Sequence, residues 1–261
     1  MSYSAATPFI DSLPSALAER CRALNAYAPN QDGQFVLYWM HHAVRGHDNP
    51  ALDVALLAAH QYQLPLLVYQ GLSGNHRFNN DRHHTFILEG ARDAHRELAE
   101  RGIHAIFHLA TKPTEPSPLT QLIKRSALCI TEDYPVPPLK QWTSRLAQQT
   151  STSMLAVDCN CILPMQHQPP FSRAFAFRKA NQAQFDRRIW QSWQAVQVEL
   201  PRFDLALGFE PLDLNQMDIA ALCARCDIDH SVPPVAHTRG GAVAGYQRWQ
   251  TFKQQGLDGY A

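Results

Sequence analysis

The chain has 261 residues, with 23 lysines and arginines against 23 aspartates and glutamates and a formal net charge of zero. That length can bury a core without staples, and the balanced charge, with no basic block, lacks the electrostatic footprint of a protein that binds nucleic acid strongly by itself. No apolar run reaches the ~20 residues that span a bilayer and MSYSAATPFIDSLPS has no signal-peptide pattern, so a cytoplasmic protein with no membrane partner and six reduced cysteines is expected.

The first apolar run, Phe35–Met40, leads into a polar loop, 41–49, and then into a helix-like segment opening with Pro50. Further runs follow at Leu64–Tyr69, His104–Leu109, Leu128–Glu132 and Met154–Asp158 with helix-length segments between them, the rhythm of β-α-β units. Runs as continuously apolar as FVLYWM and LPLLVY suit parallel strands buried on both faces. In DRHHTFILEGARDAHRELAERG, Ile87, Ala91, Ala94 and Leu98 recur at helical spacing, and Gly102 stands where a C-terminal cap belongs. The fold class is therefore α/β: a doubly wound, Rossmann-like five-stranded parallel sheet, order 3-2-1-4-5, with helices on both faces. Residues 1–198 make this domain. After Trp193 the rhythm stops, so residues 199–241 read as a long connector, and residues 242–261 as the first helix of a further, α-helical domain.

Ligands of such sheets bind beyond the carboxyl ends of the strands, which points to the loop after Met40. An antenna-type site there would draw on Trp39, Met40, His41, Arg45 and Asp48 from the first strand end and Glu132, Asp133 and Tyr134 from the fourth. The alternative for Arg45 and Asp48 is a surface ion pair pinning the loop. Asp48, just ahead of Pro50, is also expected to accept backbone N–H groups at the helix N-terminus.

Other motifs are weaker. Cys159-x-Cys161 and Cys223-x-x-Cys226 could in principle be zinc thiolates, but Cys223 and Cys226 share an apolar face with Ile219 and Leu222, as small core residues do. His104 and His108, His83 and His84, and His41 and His42 have no carboxylate at ligand-like spacing nearby, so no metal is expected. The loop GLSGNHRFNND carries neither a dinucleotide nor a P-loop fingerprint, and no nucleophile elbow exists. No catalytic residue is expected in this chain.

The segment ERCRALNAYAPNQDGQFVLYWMHHAVRGHDNPAL resembles the start of the DNA photolyase/cryptochrome family, closest to class II deoxyribodipyrimidine photolyases, with Arg45…Asp48-Asn49-Pro50-Ala51-Leu52 matching their Arg-x-x-Asp-Asn-x-Ala-Leu. AVDCNCILP resembles the family's Val-Asp-x-x-x-Ile-x-Pro, and DIDHSVPPVAHTRGGAVAGYQRWQTFKQQGLDGY is similar to the class II connector and its following helix. The resemblance implies a light-driven, FAD-dependent lyase acting on cyclobutane pyrimidine dimers, this part serving as antenna and scaffold domain. It also implies an antenna chromophore of deazaflavin or folate type, damaged DNA as a partner through a C-terminal domain beyond this chain, and Tyr260 as its one flavin contact here. A cryptochrome-like photoreceptor without repair activity, or a stand-alone nucleotide-binding or adaptor domain, are the alternatives. The chain departs from the class II Ser-Arg-Asp after Tyr-Trp-Met, having His41-His42-Ala43 instead.

Overall fold

The computed structural model describes residues 7–74, 76, 78–167 and 169–260; Asn75 and Arg77 of the glycine-bearing loop lie outside the described residues. Short helices α1 (Thr7–Ser12) and α2 (Ser15–Ala18) precede β1 (Cys21–Ala23), and β2 (Phe35–Trp39) leads to α3 (Pro50–Tyr62) and β3 (Leu66–Leu72). Next come α4 (Asp81–Glu100), β4 (His104–Leu109), α5 (Leu119–Arg125), β5 (Ser126–Glu132), α6 (Leu139–Gln149) and β6 (Met154–Val157). The helices α7 (Ala174–Arg188), α8 (Ile219–Ala224) and α9 (Ala242–Gln255) follow.

The strands form a sheet in the order β1-β6-β5-β2-β3-β4. The five expected strands stand in their 3-2-1-4-5 order, and a sixth corrects the count. This is β1, which pairs antiparallel with β6, Cys21 opposite Val157 and Ala23 opposite Leu155. A three-residue strand reading Cys-Arg-Ala is too short to show an alternation.

The chain divides into two compact units interleaved along the sequence. The first holds the described residues up to Ala43, His47–Leu67 and Leu119–Leu205. The second holds Val44–Gly46, Val68–Pro118 and the described residues from Ala206.

In the first unit β2 lies parallel to β5, Leu37 beside Cys129 and Trp39 beside Thr131. β5 in turn lies parallel to β6, Ile130 beside Leu155 and Glu132 beside Val157. Every residue of these three strands is buried, which is what their unbroken apolar runs require. The cap of α3 corrects the expectation for Asp48. Asn49 is the N-cap: its Oδ1 accepts the Ala51 and Leu52 N–H groups at 3.1 and 3.2 Å. Pro50 follows at the first helical position, where a missing N–H costs no hydrogen bond. Asp48 precedes the cap, exposed and with φ of 46°.

In the second unit the periodicity of α4 is realised, with Leu88, Ala91, Ala94 and Leu98 buried along one face. Its end is a Schellman turn: Gly102 has φ of 71°, and the Gly102 and Ile103 N–H groups donate to Ala99 and Leu98 carbonyls at 2.9 Å. Against α4 lies an apolar cluster holding Phe107, Ile219, Leu222, Cys223 and Cys226, so both cysteines pack as core side chains. Burial pushes the Cys226 thiol up to about 11.

The foot of α9 is fastened to α4 by polar contacts. Glu89 Oε2 accepts the Gly240 N–H at 2.7 Å, Glu89 Oε1 pairs with Arg239 at 2.8 Å, and Asp93 Oδ2 accepts the Val243 N–H at 3.0 Å. A Cβ on Gly240 would stand 2.2 Å from the Phe86 carbonyl oxygen, and Gly241 has φ of 96°. No residue of α9 is buried.

Candidate functional site

The sheet order reverses between β2 and β5, whose carboxyl ends lie side by side in the first unit. A crevice at such a point is where open α/β sheets take their ligands. Here β5 ends in Glu132, fully buried. Its Oε1 accepts the Tyr38 hydroxyl at 2.6 Å, and its Oε2 accepts the backbone N–H groups of His41 and His42 at 3.0 and 3.3 Å. His41 Nε2 stands 3.1 Å from the same oxygen and 3.0 Å from Thr131 Oγ1. The Thr131 hydroxyl donates to the Trp39 carbonyl at 3.1 Å. His42 Nδ1 lies 3.5 Å from Glu132 Oε2, while its Nε2 meets Asn160 Nδ2 at 2.6 Å.

A carboxylate in such a place is expensive unless it is hydrogen-bonded. Burial by itself would push the Glu132 carboxyl up, but the adjacent imidazoles and the donated hydrogen bonds outweigh it and hold it down at about 2. With a hydroxyl and two backbone N–H groups donating to it, the carboxylate serves as an acceptor. Burial lowers the His41 imidazole below its usual value, only partly offset by Glu132, with His42 adding to the lowering.

The aromatic rings stand in file: Trp39 to His41 4.8 Å, His41 to His42 5.4 Å, His42 to Tyr134 4.7 Å between centroids. Asp133 is gripped by Arg22 through two contacts of 2.7 Å. Thus Trp39, His41, Glu132, Asp133 and Tyr134 come together at the strand ends, and Met40 is fully buried beside them in sequence. Arg45 belongs to the second unit and is half-buried. Tyr260, also in the second unit, is 79% exposed and meets the Phe252 ring edge-on.

The open volume lies beside Asp48. A cleft of about 920 Å³ is lined by Leu17, Arg20, Asp48, Asn160, Arg187 and Trp193, among others, all in the first unit. Arg20 donates to the Cys161 carbonyl at 2.7 Å and lies over the Trp193 ring at 5.5 Å, while its buried Nε has no partner. The walls are held by two buried carboxylates. Asp53 accepts Trp193 Nε1 at 2.7 Å and the Val196 N–H at 3.0 Å. Asp158 accepts the N–H groups of Asn160, Cys161 and Met165 at 3.0 Å each. Arg20, Arg187 and Trp193 escape a reading of the sequence because two distant segments, around residues 20 and 187–193, supply them; the pointer available was the Asp158 motif AVDCNCILP, which shapes the floor.

The family model for DNA photolyase matches residues 36–201. A deoxyribodipyrimidine photo-lyase of Methanothermobacter thermautotrophicus is 34% identical over 149 residues, 57% of this chain and 33% of the relative. This chain thus spans about a third of that relative's length. Among solved structures, a bacterial class III photolyase from Agrobacterium tumefaciens aligns with a TM-score of 0.36 at 16% identity, over 48% of this chain and 25% of that one.

Proposed function

Because the chain belongs to the DNA photolyase family, we propose that it is the α/β portion of a flavoprotein that uses light to repair cyclobutane pyrimidine dimers in DNA. Its own share is to hold an antenna chromophore and to support the flavin-bearing part. The cleft beside Asp48 is the observation that carries the antenna reading. Its volume of about 920 Å³ lies in the range of small-molecule sites, which combine apolar walls with a few orienting polar groups. Leu17, Ile162 and Trp193 offer apolar surface to a ring system, and Arg20, Asn160 and Arg187 offer donors. The unpartnered Arg20 Nε fits a ligand that brings an acceptor. Asp48 touches the chromophore in this reading, and His41, Glu132 and Tyr134 fix the neighbouring rim.

An antenna of deazaflavin or folate type would supply light absorption, with excitation passing to FAD through space. Tyr260 is the residue of this chain that contacts FAD in the proposal, and damaged DNA is engaged by parts of the protein beyond it. The connector motif supports placement among class II members. The test is to titrate the purified protein with a deazaflavin and with a reduced folate, following fluorescence anisotropy. Saturable one-to-one binding of one of them is expected, weakened about ten-fold, or 1.4 kcal/mol, by Arg187→Glu. Failure of both to bind, or equal affinity in the variant, refutes the antenna reading.

A further inference from the structure

Glu132 is fully buried, yet its partners are a tyrosine hydroxyl, two backbone N–H groups and two imidazoles, with no lysine or arginine among them. Asp53 and Asp158 are buried and held by N–H donors; Glu132 differs in having two imidazole nitrogens against one of its oxygens. In addition, His42 Nδ1, buried and 3.5 Å from Glu132 Oε2, makes no hydrogen bond, and the His41 side chain is only 9% exposed.

We infer that His41, His42 and Glu132 form a binding site for a divalent transition-metal ion of the zinc or cobalt type. Donor atoms of the three side chains lie within 4.8 Å of one another. His41 Nε2 and His42 Nδ1 stand 3.1 and 3.5 Å from Glu132 Oε2. Ligands on a tetrahedral ion with bonds of about 2.0–2.1 Å are separated by about 3.3 Å, so the two histidine–carboxylate spacings already match a coordination shell, and rotation of the imidazoles would complete it. Two imidazoles and one carboxylate select zinc, cobalt or nickel over calcium and magnesium, which favour all-oxygen shells. The fourth position is left for water.

The outer contacts also suit a metal. Tyr38 and the two backbone N–H groups fix the carboxylate, with both imidazoles on the side of Oε2. With its amide turned to present oxygen, Asn160 would hold the Nε2–H of His42 and direct Nδ1 at the ion, the orientation that outer-shell partners impose on ligating histidines. The ion would add a positive charge beside Glu132 and tie the loop after β2 to the end of β5.

The sequence argued against this site because no carboxylate stands near the histidines. Glu132 is 91 residues from His41, and only strand pairing brings it there. To test the inference, the purified protein is stripped with EDTA and titrated with Co²⁺, then with Zn²⁺ by calorimetry. One equivalent of cobalt should give the intense visible absorption of tetrahedral coordination, displaced by zinc. His42→Ala, which alters a side chain at the mouth of the cluster, should weaken zinc at least about ten-fold, while His230→Ala in the second unit leaves it unchanged. Glu132→Gln and Asn160→Ala serve as second variants if His42→Ala loses its native circular dichroism. Absence of the cobalt band, unaltered affinity in the folded variants, or equal competition by Mg²⁺ overturns the assignment.

Discussion

Asn49→Ala should be among the most damaging single changes at the strand ends. Asn49 is 1% exposed, and both ends of its amide are used. Its Oδ1 caps α3, and its Nδ2 donates to the Tyr38 hydroxyl and the Ala43 carbonyl, each at 3.0 Å. Loss of the cap costs about 0.5–2 kcal/mol. The Ala43 carbonyl, itself buried, would lose its donor at about 1–3 kcal/mol, whereas Tyr38 keeps its bond to Glu132. The sum is about 1.5–5 kcal/mol, a large fraction of the roughly 5–15 kcal/mol typical of a whole domain. Urea unfolding followed by circular dichroism should show a lower midpoint at unchanged slope. Thermal unfolding should fall by about 3–20 °C, at about 2–4 °C per kcal/mol for this size. Asp48→Ala leaves the cap in place and should cost less than half as much. A stability change for Asn49→Ala within about 0.5 kcal/mol would refute the capping argument.

Other outcomes follow from the same structure. Asp53→Ala removes the acceptor of Trp193 Nε1 and of the Val196 N–H, costing about 1–3 kcal/mol; faster hydrogen exchange at 193–196 should accompany it, and unchanged exchange would count against the latch. Burial lowers the His95 imidazole to about 4, Asp213 opposing this and His104 adding to it. The unfolded chain, with a pKa near 6.5, therefore takes up a proton that the fold refuses. Stability is full above about pH 6.5 and declines by up to about 3 kcal/mol as pH falls through about 4, so His95→Gln should flatten that slope in denaturation measured across the window. Arg22→Ala removes a half-exposed bidentate pair with Asp133 and should cost only about 0–1 kcal/mol, shrinking further in high salt.

The strand order was legible because strands buried on both faces must be written as unbroken apolar runs, and FVLYWM, ALCIT and MLAV are. The position of the crevice, and so of the candidate site, was legible for a topological reason, since a 3-2-1-4-5 order fixes where the crevice opens before any side chain is placed. Side-chain partnerships were not. Asp48 and Asn49 are both good capping residues, and a register difference of one decides which caps; only the backbone settles it. The helix α7 left no trace in the pattern, since Phe175, Phe177 and Phe185 remain exposed and Asn181 is its buried residue, the reverse of an amphipathic stripe. Within the connector, α8 was hidden by its brevity, although Ile219, Leu222, Cys223 and Cys226 share one apolar face.

The glycine pair at the foot of α9 has a mechanical consequence. A helix with no buried residue cannot be aimed by packing along its length, so its direction is set where it is pinned, by Glu89 and Asp93 of α4 gripping backbone N–H groups at Gly240 and Val243. Its 14 residues make an arm about 21 Å long at 1.5 Å per residue. A tilt of only about 10° at the pin, such as a methyl group on Gly240 would force, swings the far end by about 4 Å over that arm, and Tyr260 travels with it. The Gly-Gly pair is thus a setting of angle: the residues that decide where the aromatic tip of the arm points are the ones farthest from it.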